Sequence, residues 1–460
     1  MFPEILIYIV FGIALASSII VSFWILRQRK ISIWLAIPLA ITFLPIGYVD
    51  RYLVDLPGLL SRSPFFIVVA VSVLILVDRP SVFGQVPKMF LLIYSLLFLE
   101  SIISCLVNET PFVDIFYTHR GFLVLFAFVI IFNRFQHVLK TDSLLRFIVW
   151  MAVLNGCIAV FERVVMVSIL RMGSGDMVSG VFSSDGQFLF FQLVGIIVVV
   201  AYWFHGQNVI RFPNGQVITL LLISIAIGNN KASWGFIAAV FLVMGYQVGL
   251  KLFFKNFGKV IWLGILGAFS YSVFDAVYVS FYNKTHESEI GIAGYVANPE
   301  FIQYYLFGSD EADTQFSKSG ALKRGAAVSF GWNHIKEEGL TTIFGLGAGS
   351  TTDKAFSGEN GFFNFRYPNY KVSRTSLSLI LAEFGLAGIG CLILFAFVIY
   401  ASTKSSETNK MLLIKKTVAI LIIGYFGYES LIEETSHMFI MAVMFTLAVP
   451  EKKIVDGNQA

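Results

Sequence analysis

Charged residues are scarce in this chain. Only 13% of its 460 residues are Asp, Glu, Lys or Arg, about half the share that is usual in soluble domains. Hydrophobic residues account for 57% of the chain, which is more apolar surface than a soluble fold can cover. The composition therefore excludes an ordinary soluble protein.

Cysteine is rarer still, and no pattern typical of metal ligands is present. The three cysteines, Cys105, Cys157 and Cys391, all fall inside apolar runs and form no CxxC pair. We interpret them as small core residues rather than as disulfides or ligands. The sequence also contains no Asp-x-Asp motif and no histidine cluster. It therefore predicts neither a metal site nor a cofactor.

Long runs of one charge are missing as well. The formal net charge is only +4, and no basic tract of the kind that binds nucleic acid is present. The first four residues lack the positive segment of a signal peptide. The apolar run near 5–26 is therefore expected to remain in the protein as a membrane anchor.

What the chain has instead is a series of long apolar runs. Windows of about twenty uncharged residues recur along most of its length, and each could cross about 30 Å of hydrocarbon as a helix. The expected fold is an all-α polytopic membrane protein with about 12–14 transmembrane helices. The predicted helices lie near 5–26, 32–49, 63–78, 88–107, 112–133, 144–163, 187–204, 216–228, 232–250, 260–282, 374–400, 411–430 and 437–450.

One polar segment, 283–373, interrupts these runs and divides the chain into 1–282, 283–373 and 374–460. Lys and Arg gather in the connections on one side of the predicted membrane, which is typical of the cytoplasmic side. That arrangement places segment 283–373 outside the cytoplasm, as one large, partly helical loop. The residues of the richer side are Arg27, Arg29, Lys30, Arg79, Lys88, Arg134, Lys140, Arg146, Arg211, Lys251, Lys255, Lys259, Lys404, Lys410, Lys415, Lys416, Lys452 and Lys453.

Within the polar segment, the sequence predicts an amphipathic helix that begins near Arg324, lies on the outer interface and stops at Gly339. A Gly-x-Gly-x-Gly run follows at 344–350, and its favoured interpretation is a flexible turn rather than a phosphate cradle. The outer connection 108–120 is expected to be a solvated loop, with a lid as the alternative. The apolar face of the predicted amphipathic helix comprises Ala321, Val328, Trp332 and Ile335.

Three basic residues are candidates for binding a diphosphate: Lys231, Arg324 and Arg374. Lys231 lies in a short turn, where a lone lysine either snorkels to the interface or binds a phosphate. Arg374 begins a helix, where a cation opposes the helix dipole by about 0.3–1 kcal/mol. With an anion bound, the position of the arginine becomes favourable, because the helix N–H groups and the guanidinium both bind the same phosphate. We therefore predict that these three cations meet at the outer face and bind the phosphates of one anion.

The role of several carboxylates can be interpreted in two ways. Glu383 lies deep in the helix that begins at Arg374, and pairing with polar groups of neighbouring elements is the first interpretation for it, as for Glu100, Glu162 and Asp275. A catalytic role is the alternative. The acidic turn that begins at Glu429 either balances the basic residues or caps two helices.

These features resemble the bacterial O-antigen ligase and polymerase superfamily. Gly228–Ser233 resembles its short outer turn, with Lys231 where Arg is common. The segment Arg324–Gly349 resembles its run from an Arg, through a Trp-containing helix, to a Phe-Gly-x-Gly-x-Gly turn. Ligases have a His where Arg374 stands, and the spacing from Arg374 to Gly385 resembles the Arg-x10-Gly of polymerases.

The resemblance implies a metal-independent glycosyltransferase at the periplasmic face of the bacterial inner membrane. It would join undecaprenyl-diphosphate-linked repeat units, transferring the glycan of one lipid to a terminal hydroxyl on another. Arg324 and Arg374 would be catalytic, since the departing diphosphate carries several charges. Implied partners are the lipid-linked donor and acceptor and membrane lipid, and a chain-length regulator is a further candidate.

The acceptor hydroxyl would also need a base, and the candidates are His334 and Glu383, with His286 and Asp185 beside them. Two alternatives to a polymerase stay open. An O-antigen ligase would share the site and transfer glycan to lipid A-core. A flippase for the same lipid-linked saccharide would be expected to show inverted repeats and charged sites near the midplane, and neither pattern is evident in the sequence.

Overall fold

The computed structural model describes residues 33–43, 63–136, 141–169, 178–182, 184–228, 232–282, 324–336, 339–351, 375–401, 409–430 and 435–446, together with isolated positions. Every regular element in these ranges is a helix. Lys231, His286, Arg374 and residues 283–323 lie outside the described part of the chain, so the predictions made for them stay predictions.

The described helices follow one another closely in sequence. A short 3-10 helix, Pro80–Gln85, precedes α3, and a π-helix, Glu162–Ile169, continues α6. The α-helices are α1 (Ile33–Thr42), α2 (Ser63–Asp78), α3 (Lys88–Val107), α4 (Val113–Thr118), α5 (Arg120–Phe135), α6 (Thr141–Phe161), α7 (Asp185–Phe204), α8 (Asn214–Ile227), α9 (Ser233–Lys255), α10 (Phe257–Tyr282), α11 (Arg324–Ile335), α12 (Gly339–Phe344), α13 (Ser376–Ala401), α14 (Asn409–Phe426) and α15 (Thr435–Thr446).

Among the described residues, five helices are long and apolar enough to cross a membrane. This chain is therefore a membrane-embedded protein built from α-helices, because only a helix satisfies its own backbone hydrogen bonds within one segment in hydrocarbon. The total number of crossings and the side on which 283–373 lies stay predictions. The five candidate spans are Lys88–Val107, Thr141–Val165, Asp185–Phe204, Phe257–Ala276 and Ser376–Ala401.

The helix α7 forms the centre of the packed bundle. Of the residues in its apolar window, 94% are buried, against 17% in α10. Neighbouring helices α6, α8, α9, α14 and α15 pack around α7, while α10 packs on α8 at the periphery. Because α7 is enclosed and α10 is not, α10 presents much of its apolar surface to lipid.

Within the described residues, the bounds of the predicted helices agree closely with the structure, but the helices predicted near 112–133 and 374–400 are interrupted, at His119 and at Gly385. The helix predicted near 5–26 lies outside the described ranges. The span predicted near 112–133 is two helices, α4 and α5, separated at His119. The imidazole Nε2 of His119 lies 2.6 Å from the hydroxyl oxygen of Ser101 on α3. The expectation of a solvated loop at 108–120 is wrong, since Asp114, Thr118 and His119 are all buried.

The helix predicted from Arg324 is present, and one detail of the prediction is wrong. Trp332, on the predicted apolar face, is 37% exposed, and its place at the membrane interface stays a prediction. The small residues of α11 face inward, because they allow close packing against α13. Gly339 does not end a helix; it begins α12. The buried residues of α11 are Ala326, Ala327, Gly331 and Ile335.

Candidate functional site at the turn after helix α14

The turn that follows α14, residues 427–430, holds the best-defined candidate site. The chain leaves α14 with the N–H groups of Tyr428 and Glu429 both donating to the carbonyl of Tyr425, each at 3.0 Å. Below them, the Tyr425 hydroxyl donates to the carbonyl of Gly186 at 2.9 Å. These bonds fix the turn against the start of α7.

Arg324 contacts this turn in three ways. Its Nε donates to the Tyr428 carbonyl at 2.6 Å, and its Nη2 lies 3.3 Å from Oε2 of Glu429. The guanidinium carbon also lies 4.1 Å from the centre of the Tyr428 ring. With 14% of the side chain exposed, Arg324 is a largely desolvated cation, for which ion-pair and cation–π interactions are stronger than in water.

Four helices begin around this turn. Ser376 N–H, at the start of α13, donates to the Glu429 carbonyl at 3.1 Å. The first turn of α9 contributes Phe236, whose ring centre lies 5.3 Å from that of Tyr428. Arg324 begins α11, and Gly186 lies in the first turn of α7. Because a helix carries about half a positive charge at its N-terminus, this convergence favours an anion.

The carboxylate of Glu429 occupies the centre of that convergence. A Cβ built on Gly186 would lie 2.7 Å from Cδ and from Oε2 of Glu429, so the carboxylate rests directly on the backbone of α7. Its side chain is 21% exposed. Glu429 therefore pairs with Arg324, and its backbone carbonyl accepts a hydrogen bond at the start of α13. For this one residue of the acidic turn, the structure shows both the balancing of a basic residue and the capping of a helix.

Only one of the three predicted cations lies in the described residues. Lys231 precedes α9 by two residues, and Arg374 precedes α13 by two residues. Both of these helices contact the turn that holds Arg324, α9 through Phe236 and α13 through Ser376. The meeting of the three cations stays a prediction, and the described helix starts are compatible with it.

His334 and Glu383, the two candidate bases, lie away from Arg324. His334 is ten residues along α11, which is about 15 Å at 1.5 Å per residue. Its Nδ1 lies 2.8 Å from the Phe330 carbonyl oxygen, and its ring packs against Phe330 and Phe363. Glu383 is seven residues from the start of α13, about 10 Å into that helix.

Glu383 is completely buried and fully engaged by protein donors. Its Oε2 accepts from the Thr118 hydroxyl at 2.6 Å. Its Oε1 accepts from the hydroxyl and the N–H of Thr351, at 2.6 and 3.2 Å. This is the structural pairing that the sequence suggested, and it ties α4 and the residue after the glycine turn to α13. A partnered, inaccessible carboxylate is poorly placed to receive a proton from an acceptor sugar.

The glycine run that follows α12 forms a turn, as predicted, and its backbone is hydrogen-bonded to α13. Leu346 N–H donates to the Ala382 carbonyl at 2.9 Å, and Gly347 N–H donates to the Glu383 carbonyl at 3.1 Å. The helix α13 is broken at Gly385, with φ 59° and ψ −151°. A Cβ there would lie 2.5 Å from the Ile343 carbonyl oxygen. The turn therefore fits into the break of α13.

Two further buried carboxylates differ from each other. Glu162 accepts from the N–H groups of Ser179 and Gly180, at 3.0 and 2.8 Å, which confirms a structural role. Glu100 is 6% exposed, and neither of its carboxylate oxygens has a hydrogen-bond partner among the described residues. The expected polar partner of Glu100 is thus not found in that part of the chain.

Comparisons of the chain with protein-family models, curated proteins and solved structures found no match. The fold and the site define this chain as a helical membrane protein. In it, a desolvated cation and the N-termini of four helices lie at one turn. Sequence reasoning had selected Arg324 but had not selected Tyr428 or Gly186. An aromatic residue beside an acidic one, Tyr428 before Glu429, was the available signal.

Proposed function

We propose that this protein is a polysaccharide polymerase, a glycosyltransferase that joins undecaprenyl-diphosphate-linked oligosaccharide units at the periplasmic face of the bacterial inner membrane. The observation that supports this proposal most directly is the position of Arg324. It is a largely buried guanidinium held at a turn on which the N-termini of α7, α9, α11 and α13 converge. Such a site favours a multiply charged anion.

The resemblance to the O-antigen superfamily supplies the identity of that anion. In glycosyl transfer from a lipid diphosphate, negative charge accumulates on the departing diphosphate as the sugar carbon–oxygen bond breaks. Fixed donors aimed at that charge stabilise the transition state more than the ground state. In the proposal, Arg324 performs this role together with Arg374 and Lys231, which precede two of the helices that meet there.

The pair of Arg324 and Glu429 suggests how the acceptor is activated. A diphosphate that binds Arg324 competes with the Glu429 carboxylate for the same guanidinium. The released carboxylate can then take the proton of the acceptor hydroxyl as its oxygen bonds to the sugar carbon and the bond to the diphosphate breaks. Undecaprenyl diphosphate leaves with the electron pair. We therefore favour Glu429 over His334 and Glu383 as the base.

The decisive experiment compares surface polysaccharide in a deletion strain complemented with variants. Single repeats attached to lipid A-core in the deletion strain indicate a missing polymerase, and bare core indicates a missing ligase. Lipid-linked intermediate trapped in the cytoplasmic leaflet would indicate a transporter. Arg324→Ala and Arg374→Ala are expected to abolish long chains while the protein stays in the membrane.

A matched control separates the effect of losing any positive charge from the effect of losing the site. Arg79 is an exposed arginine whose side chain is 59% accessible, paired only loosely with Asp78 at 3.8 Å. Arg79→Ala is expected to keep the normal ladder of chain lengths. A normal ladder in both Arg324→Ala and Arg374→Ala would refute the assignment of the site.

A further inference from the structure

A second charged site lies at the opposite end of α7, where α9 turns into α10. The start of α7 contacts the turn after α14, and its last residue lies nineteen residues further on, about 29 Å at 1.5 Å per residue. There the Asn256 amide donates to the Phe204 carbonyl at 3.2 Å. Nζ of Lys259 donates to the Trp203 carbonyl at 2.6 Å. The turn from α9 to α10 is therefore anchored to the end of α7.

An open cleft of about 430 Å³ is present at this turn. Two lysines stand at it, Lys255 with an exposed side chain and Lys259 with a half-buried one. Asn256 is buried at 4% exposure, which fixes the backbone between them. The two lysines lie four residues apart at one cleft, where both can contact the same anion. The residues lining the cleft are Lys255, Asn256, Gly258, Lys259, Ile261, Trp262 and Ile265.

An apolar stripe leads from this cleft along α10. Its side chains are large and exposed: Trp262 is 57% accessible, and both Ile265 and Phe269 are 53% accessible. They recur at intervals of three and four residues, so they share one face of the helix. The helix is a candidate membrane span of which few residues are buried. The stripe therefore faces hydrocarbon, and Trp262 occupies the level typical of an interfacial aromatic residue.

We propose that this cleft binds the headgroup of an anionic phospholipid, with Lys255 and Lys259 on the phosphate and the acyl chains along the stripe of α10. The charge and the apolar face together select this occupant. A free phosphate would use the lysines and leave the stripe unused, whereas a zwitterionic lipid would cover the stripe without a net charge for the lysines. Basic pockets between membrane helices bind anionic headgroups in this manner.

A hydrogen bond to the backbone orients the side chain of Lys259. Its bond to the Trp203 carbonyl uses one of three ammonium hydrogens, so two remain for a phosphate. The carbonyl groups at the end of α7 also place the negative end of a helix dipole beside it, which holds the lysine in place before a lipid arrives. Lys255 then adds the second charge from the exposed side of the cleft.

The test is native mass spectrometry of the full-length protein with phosphatidylglycerol or phosphatidylcholine added in equal amounts. Wild-type protein is expected to retain phosphatidylglycerol preferentially, with the preference weakening as salt rises. Lys255→Gln is expected to lower phosphatidylglycerol retention about fivefold, the effect of one interfacial cation. The double variant Lys255→Gln, Lys259→Gln is expected to lose the preference.

Lys88→Gln is the matched control, because Lys88 is also an exposed lysine at the start of a membrane helix, α3, and does not line the cleft. It is expected to retain phosphatidylglycerol as the wild type does. Equal retention of the two lipids by the wild type, or equal losses in Lys88→Gln and Lys255→Gln, would overturn the proposal. Lys255 is exposed, so its single variant tests the site even if the double variant does not fold.

Discussion

Nη2 of Arg324 lies 3.3 Å from Oε2 of Glu429, and the carboxylate of Glu429 rests on the backbone of Gly186. This relationship connects the start of α11, the end of α14 and the start of α7 through one ion pair. Both side chains are mostly buried, so removal of one partner leaves the other charge poorly solvated.

Glu429→Gln is expected to abolish or greatly reduce long-chain polysaccharide while the protein still accumulates in the membrane. The amide keeps the shape and can still accept a bond from Arg324, but it cannot take a proton from an acceptor hydroxyl. General-base catalysis typically contributes about 100- to 10,000-fold in rate. The measurement is the rate of chain extension in membranes supplied with lipid-linked repeats. Full activity in Glu429→Gln would exclude Glu429 as the base.

Gly186→Ala is expected to reduce chain extension by displacing the Glu429 carboxylate, because the new methyl group would lie 2.7 Å from three of its atoms. Gly215→Ala is the control: Gly215 is likewise the second residue of its helix, and a Cβ there meets nothing within 4 Å. We expect Gly215→Ala to retain wild-type extension. If both variants extended chains equally well, the contact between Gly186 and Glu429 would not contribute to chain extension.

Gly385→Ala is expected to destabilise the fold by about 2–6 kcal/mol. A residue with a Cβ costs about 1–3 kcal/mol at these backbone angles, which only glycine adopts readily, and forcing a methyl group into packed backbone costs about 1–3 kcal/mol. Thermal unfolding of the purified protein measures the effect. Gly390→Ala in the same helix has open space at Cβ and no positive φ, so it should unfold near the wild-type temperature. If Gly385→Ala and Gly390→Ala unfolded at the same temperature, the packing of the glycine turn into the break of α13 would be contradicted.

Glu383→Ala is expected to lower the unfolding temperature more than Glu383→Gln. In the alanine variant, the hydroxyl groups of Thr118 and Thr351 lose their acceptor, and each unsatisfied buried group costs about 1–3 kcal/mol. Glutamine keeps an acceptor oxygen and can donate from its amide to a rotated hydroxyl. Chain extension should follow stability in both variants. Loss of extension in Glu383→Gln at unchanged stability would instead point to a catalytic carboxylate.

Local patterns in the sequence were sufficient to predict where most of the described helices begin and end. The bounds predicted near 63–78 and 88–107 coincide with α2 and α3, because hydropathy and breakers act over a few turns of chain. The division at His119 was missed, since it depends on a buried contact with Ser101, a residue on another helix. The buried face of α11 was missed for a similar reason: small residues become buried only when α13 is close.

The amino-acid pattern alone was enough to predict a membrane-embedded helical chain, a polar segment that carries Arg324 and an acidic turn at Glu429. The pairing of Arg324 with Glu429, the contact of Tyr428 with the guanidinium and the four helices that begin around them became visible only in the folded chain. Helix periodicity sets which side of one helix is apolar. It contains no information on which helix ends meet, because that depends on packing between segments far apart in sequence.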